Sequence, residues 1–298
     1  MANITQAEIT TLATMVAAGS LGKLKSNTVL ARIVNRDYDS EVAQRGKTVQ
    51  IPVRGALTVN DKAANGNVTL QAPSDSSVNV TLNKHKEVSF LIEDPARAMA
   101  SYDALDGYMG DAVLGIAEAI DGDIAALYAG FSQSIDASAG LTEANFRNAQ
   151  RLLNAAKAPQ TSRWAVLHQD AFYEAQGIEK IINRDYRGDE AAAALRDGYL
   201  GKFAGFDIVL DQNIKTATTR KNLFIHRDAV VLATRPLPVA PAGLGVSQVV
   251  MDEDGVGIRV TMSYSANALG MQVTVDVLYG VAELRDAFGV VVPTAVVS

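Results

Sequence analysis

Between Ser101 and Phe131 apolar side chains recur at steps of three and four: Leu105, Met109, Ala112, Ile116, Ile120, Ile124, Leu127 and Phe131. That spacing predicts one long amphipathic helix. Asp103, Asp106, Asp111, Glu118, Asp121 and Asp123 fall mostly off its apolar face. Ser101, with Asp103 and Asp106 close behind, supplies a cap and an acidic first turn, favourable at the positive end of the helix dipole. Gly130 offers a stop. Roughly 28 residues rising ~1.5 Å each make a rod about 40 Å long. Gly107, Gly110, Gly115 and Gly122 each weaken it by about 0.8–1 kcal/mol relative to alanine where exposed. Propensity alone does not hold such a helix. Something must pack along it, and the glycines suit close backbone approach.

The chain must supply that packing from 298 residues, 48% of them apolar and 20% charged, enough for one large domain or two smaller ones. A net charge of −6 argues against a strongly basic nucleic-acid-binding face. The absence of cysteine excludes disulfides, cysteine-ligated zinc, iron–sulfur clusters and thiol catalysis. The first twenty residues lack a basic stretch ahead of an apolar run, so no secretory signal is expected. No stretch approaches the ~20 apolar residues of a membrane helix, and a soluble, cytoplasmically made chain is expected. No period of 20–50 residues repeats.

In chain order, residues 1–45 read as an N-terminal arm. Ile9, Leu12, Met15 and Val16 share a helical face, with Thr5 and Glu8 spaced as a capping box. The apolar content is small, so the arm either borrows contacts from elsewhere or packs as an ordinary helix on its own domain. Residues 46–92 change to a period of two: Lys47–Val53 is a strand, Leu57 and Val59 extend it, and Asn65-Gly66 is a hairpin turn. Val68 and Leu70 alternate on the return, then Val78, Val80 and Leu82, and Val88, Phe90 and Ile92 close the run. This is a long extended hairpin with a polar outer half. A lone two-stranded ribbon is marginal in water, so it needs a surface, on its own domain or on a neighbour.

Residues 93–140 carry the long helix. Residues 141–228 open with a second amphipathic helix, Leu141–Lys157, capped by Thr142 and ended by Pro159. A buried strand at Arg163–Leu167, a helical turn at Asp170–Gln176 and strands at Phe206–Leu210 and Leu223–His226 follow. Residues 229–298 begin with a short apolar segment and a connector holding three of the eight prolines. They are otherwise strands, with Val246–Met251 pairing Ile258–Tyr264 across Asp254-Gly255, then Val273–Tyr279, Val281–Leu284 and Val290–Val292. The class is α+β.

No catalytic, cofactor or metal residue is assigned. The three histidines, His85, His168 and His226, sit in or beside separate strands, and no G-x-S-x-G elbow is present. Asp252, Glu253 and Asp254 read as a solvated turn, because EF-hand spacing is missing. Gly243-Leu244-Gly245 lacks the third glycine and the helix of a dinucleotide site. Asp185, Asp189 and Glu190 are interleaved with Arg184 and Arg187, a solvated pattern. Lys47, Arg54, Lys84 and Lys86 bias the hairpin region basic. They serve either contact with an acidic face or protection of an exposed strand edge. An enzyme using paired carboxylates would need a pocket with two shifted carboxyls. A tail-associated adhesin would need β-repeats, which the chain lacks.

The order of these parts resembles the major capsid proteins of tailed bacteriophages, whose fold is shared with herpesvirus shells and encapsulins. GKTVQIPV resembles the first strand of that family's extended loop. The stretch from Phe90 to Tyr128 resembles its spine helix with lead-in. The stretch from Leu141 to His168 resembles the opening of its axial domain, and FAGFDIVLDQNI a later axial strand. NLFIHRDAVVLATRP followed by VDVLYGVAELRDAFGVVV resembles the return to its peripheral domain. The likeness spans essentially the whole chain. It implies a non-enzymatic shell subunit in the virion, assembled in the host cytoplasm. Such subunits form hexamers and pentamers enclosing double-stranded DNA, with no membrane. A separate scaffolding protein, a portal and a decoration protein would be partners. An encapsulin-like nanocompartment is the near alternative, and a carboxylate-dependent hydrolase the more distant one. Some members cross-link through Lys and Asn, and neither partner is assigned here. The negative net charge suits a liner that does not grip DNA.

Overall fold

The computed structural model describes residues 28–38, 48–53, 57–72, 75–94, 103–182, 200–214, 219–235, 237–241, 246–253 and 256–295. In order these form α1 (Leu30–Ile33), β1 (Thr48–Val53), β2 (Ser76–Thr81), β3 (Lys84–Glu93), α2 (Asp103–Ala125), α3 (Glu143–Ala155), β4 (Arg163–Leu167), α4 (Gln169–Gln176) and α5 (Glu179–Ile182). Then come β5 (Lys202–Phe203), β6 (Phe206–Leu210), β7 (Thr219–His226), β8 (Val230–Arg235), β9 (Val246–Glu253), β10 (Val256–Ser265), β11 (Gly270–Glu283) and β12 (Gly289–Ala295).

The long helix is α2, continued by a 3-10 turn at Ala126–Ala129. Ala112, Ile116, Ile120 and Ile124 are buried as their spacing demands. Asp121, read as lying off the apolar face, is also wholly buried. It follows Ala117 and precedes Ala125 by one turn each, and both alanines are buried, so it shares their stripe. Where side chains at Gly115 and Gly122 would sit, nothing among the described residues lies within 4 Å. Among these residues, then, the two glycines serve no close backbone approach. No helix among the described residues is long and apolar enough to cross a membrane.

Two five-stranded sheets accompany this helix, and the first packs on it. The first runs β3-β11-β10-β9, antiparallel throughout, with β8 also paired to β11. Val273, Val275, Val277 and Tyr279 of β11 are buried in the core that includes Ile116, Ile120 and Ile124. The alternate residues Leu278 and Ala282 point to the opposite face. The expected pairing of Val246–Met251 with Ile258–Tyr264 is present, with Met251 opposite Ile258.

The second sheet runs β12-β7-β4-β6-β5. Its central strand β4 pairs β6 in parallel and β7 antiparallel, and four of its five residues are buried. α3 lies on this sheet through Phe146, which meets Phe224 edge-on at 5.0 Å and Phe203 at 5.3 Å. At the start of α3, Asn145 Oδ1 accepts the Thr142 N–H at 2.8 Å, the backward half of a capping box. Its C-terminal end is closed by the buried Arg163, which donates to Asn154 Oδ1, Ala158 O and Pro159 O at 2.7–2.8 Å.

Three expectations change. First, the stretch 28–38 is not an arm seeking a partner. Leu30, Ile33 and Val34 are buried in the subunit's own core, and Asn35 exchanges backbone hydrogen bonds with Val230 and Leu232 beside β8. Ordinary own-domain packing therefore applies to this stretch. Residues 1–27 and 39–47 lie outside the described residues. Second, β3 is not the closing run of a hairpin over 46–92. It pairs β11 for its whole length, Lys84 opposite Tyr279 through Glu93 opposite Gly270. Third, Val290–Val292, read as part of the return to the peripheral domain, is not in one sheet with the other late strands. β12 pairs β7, and residues Ser134 and Ala137 bridge its other edge. An apolar strand pairs wherever a complementary edge is open, and its position in sequence does not select the sheet.

Candidate assembly surface

β1 and β2 form a two-stranded antiparallel ribbon, Thr48 opposite Thr81 and Val53 opposite Ser76. Its inward residues Val49, Ile51, Val80 and Leu82 join Val231, Ala233 and Leu284 in a second, smaller core. The ribbon base therefore lies on the face of the first sheet opposite the long helix. Gly280 makes this possible. A Cβ there would stand 2.3 Å from the Thr81 carbonyl oxygen and 2.8 Å from its carbon. Two backbones cross at that point with no room for a side chain.

Beyond the base, residues 57–72 carry no strand and are exposed throughout. The expected pairing of Leu57 and Val59 with Val68 and Leu70 does not form. Instead Thr58 N–H donates to Gln71 Oε1 at 2.8 Å and Gln71 Nε2 to the Thr58 carbonyl at 2.5 Å. Asn65 turns the chain with φ 63°, and Gly66 N–H closes on Ala63 O at 3.0 Å. Leu57, Val59, Val68 and Leu70 are 64%, 93%, 66% and 90% exposed. Among the described residues nothing covers these four aliphatic side chains, which fall within one short stretch of chain, unlike single exposed apolar residues.

The basic bias of the hairpin region resolves differently. Lys84 and Lys86 reach Asp123 of the long helix at 3.0 and 3.7 Å, and Tyr279 OH donates to the same carboxylate at 2.6 Å. Burial raises the Asp123 pKa, but Tyr279, Lys84 and Lys86 together hold it below the usual carboxylate range. Burial and the Asp123 charge push the Tyr279 phenol up. These lysines thus fasten β3 to the helix and do not await an acidic partner. Lys47 and Arg54 lie outside the described residues, as do Asp185, Asp189, Glu190, Gly243, Leu244, Gly245 and Asp254.

The three histidines are not brought together. His85, half exposed on β3, meets Asp276 at 3.0 Å, and Arg259 Nε donates to that carboxylate at 3.0 Å. His168 and His226 are buried, each ending a strand and opening a turn. The His168 Nδ1 accepts the Asp170 N–H at 3.2 Å, and the His226 Nδ1 accepts the Asp228 N–H at 3.1 Å. Both take the role usually filled by Ser, Thr, Asp or Asn. Accepting requires an unprotonated Nδ1, and burial lowers both pKa values, helped by Arg220 at His168 and by Arg163 and Arg285 at His226. A depressed folded-state pKa gives stability that is full above the ordinary value of about 6.5 and lost as pH falls below it. The double variant His168→Asn/His226→Asn keeps an acceptor at each cap without titrating. Wild-type melting should therefore fall relative to this variant between about pH 7 and about pH 5. Parallel melting curves across that range would count against the cap assignment.

Among the described residues, no group of three or more His, Cys, Asp or Glu could hold a metal. What the geometry offers is a surface: an exposed apolar stretch beyond a ribbon base that is seated by a backbone crossing at Gly280.

Comparison with known proteins follows the same lines. The family profile described as phage capsid protein matches residues 39–279. Comparison with curated proteins gave no match. Among solved structures, that of Mycobacterium phage Che8 is similar with a TM-score of 0.67 and 23% identity, covering 89% of this chain and 90% of that one. The capsid structure of cyanophage P-SCSP1u gives 0.66 and 17%, covering 90% and 88%. The head structure of Helicobacter pylori bacteriophage KHP40 gives 0.61 and 11%, covering 83% and 85%.

Proposed function

The chain belongs to the phage capsid protein family, and we propose that its exposed ribbon tip is the element that joins one copy to the next. As a family member it is a structural subunit of the virion capsid. In the reading proposed here, copies close into hexamers and pentamers around double-stranded DNA, with no catalytic role. Scaffold, portal and decoration proteins would come from other chains.

The supporting observation is the apolar tip. Leu57, Val59, Val68 and Leu70 stand in water in the single subunit. Full burial of such a side chain contributes about 1.5–3 kcal/mol. Four of them on each copy, repeated around a ring, make a sizeable drive for association. The contact is heterologous, tip against a different patch on the next copy, and such contacts close into rings.

Replacing all four by serine tests this. Because none is buried in the subunit, melting of the isolated chain should be unchanged within about 0.5 kcal/mol, the usual range for surface sites. Electron microscopy should show that shells and capsomers are lost. Shells forming as efficiently as wild type would remove the ribbon from the assembly contact. Shells that enclose a cargo enzyme and no DNA would point to a nanocompartment instead.

A further inference from the structure

Asp121 lies mid-way along the long helix and is wholly buried. Its Oδ2 accepts the Val29 N–H at 2.6 Å, and its Oδ1 accepts the Ala31 N–H at 3.1 Å. These N–H groups belong to the start of α1, where a helix leaves donors unsatisfied. A carboxylate distant in sequence thus takes the place of a local cap. Asp211, just past β6, is buried as well. Its N–H donates to the Leu167 carbonyl at 2.9 Å, and its Oδ1 accepts the Asn213 N–H at 2.8 Å. Its Oδ2 is buried with no hydrogen-bond partner among the described residues. The two carboxyls are close enough that the charge of one acts on the other. Asp121 thus ties the long helix to the α1 segment, and Asp211 ties the end of β6 to β4. A second charge in apolar surroundings is costly, and the unpartnered Oδ2 of Asp211 is a natural seat for a proton.

We propose that Asp121 and Asp211 form a proton-gated latch: with one proton on the pair, the α1 segment is held against the long helix, and loss of that proton loosens it. Burial is the main cause that raises Asp121, the Val29, Ala31 and Leu30 N–H groups oppose it, and the Asp211 charge adds to it, bringing the carboxyl to about 7. Burial raises Asp211 too. An unfolded carboxyl titrates near 3.9, so between there and neutrality the folded chain keeps a proton the unfolded chain has released. Stability at this joint therefore falls as pH rises through that window.

Most other charges near the joint are engaged elsewhere or exposed. On the long helix, Asp123 is held by Lys84, Lys86 and Tyr279, and Glu118 is exposed. On the α1 segment, Arg32 is exposed, Arg36 is half-buried, and Asp37 pairs with Arg227. Toward the second sheet, His168 answers to Arg220 and Asp170, and Arg163 to the end of α3.

Hydrogen exchange on the full-length, unassembled chain at about pH 6 and about pH 8.5 tests the latch. After correction for intrinsic exchange, protection of the Val29, Leu30 and Ala31 amides should drop at least about tenfold at the higher pH, the effect of a one-unit shift. Amides of Phe146–Leu153 in α3 should not change. Asp121→Asn should flatten the response, and Asp211→Asn, which removes only the added like charge, should reduce it. Equal wild-type protection at both pH values, or a pH step left at full size in Asp211→Asn, overturns the proposal. Should Asp121→Asn fail to fold, wild type and Asp211→Asn decide it alone. The ribbon-tip variant leaves this joint untouched, so failure of one reading does not entail failure of the other.

Discussion

Phe224→Ala is expected to cost the fold about 3–5 kcal/mol, the largest single loss in the second sheet. Phe224 is fully buried and sits between two aromatic neighbours, Phe146 at 5.0 Å and Phe206 at 5.2 Å, both edge-on. Truncation removes both ring contacts and opens a cavity that β7, paired on both sides, cannot collapse to fill. Against a total stability of about 5–15 kcal/mol, that loss is a large fraction. Thermal melting should shift down by roughly 10 °C, since about 1 kcal/mol moves a larger domain by 2–4 °C. Phe224→Leu retains most of the volume and should lose much less. Wild-type melting for the alanine variant would mean that α3 is not seated on the sheet through this ring cluster.

Gly280→Ala is expected to destabilise the ribbon by about 3 kcal/mol, near the top of the range for overpacking. The added methyl would meet backbone atoms of Thr81 at 2.3 and 2.8 Å and of Leu82 at 3.2 Å. Neither β2 nor β11 can yield by turning a side chain. The ribbon must lift, which uncovers Val49, Ile51, Val80 and Leu82. Exchange protection in β1 and β2 should fall sharply while that of β4 and β7 holds. Shell formation should fail even though the tip residues are intact, because the tip is aimed by its base. A variant with wild-type exchange in the ribbon and normal shells would refute the crossing at Gly280.

These two sites differ in how far the chain itself announces them. Phe224 lies in Leu223–His226, where three consecutive apolar residues are by themselves the mark of a buried strand. Gly280 falls between two runs read as strands, Val273–Tyr279 and Val281–Leu284, and a glycine there signals close approach, but not what approaches. Asp121 was legible in part. Its spacing of four from Ala117 and from Ala125 places it on a stripe of small residues, yet a wheel drawn through the larger side chains puts it outside. Only the backbone of α1, brought from ninety residues upstream, turns that position from exposed to buried. Lys84 and Lys86 show the same limit, since their basic character was evident and their partner, Asp123, was not.

Local periodicity, set by how side chains project from helix and strand, was determined by the sequence alone: the long helix, the α3 helix, the β9–β10 hairpin and the mixed α+β class. Partner choice was decided by the tertiary structure. It sent β3 to β11, sent β12 to β7 rather than to the first sheet, left Val68 and Leu70 unpaired, and buried Leu30, Ile33 and Val34 in their own subunit. The reason is physical. An apolar alternation specifies that a face must be covered, whereas which edge covers it depends on the shapes of segments far away along the chain.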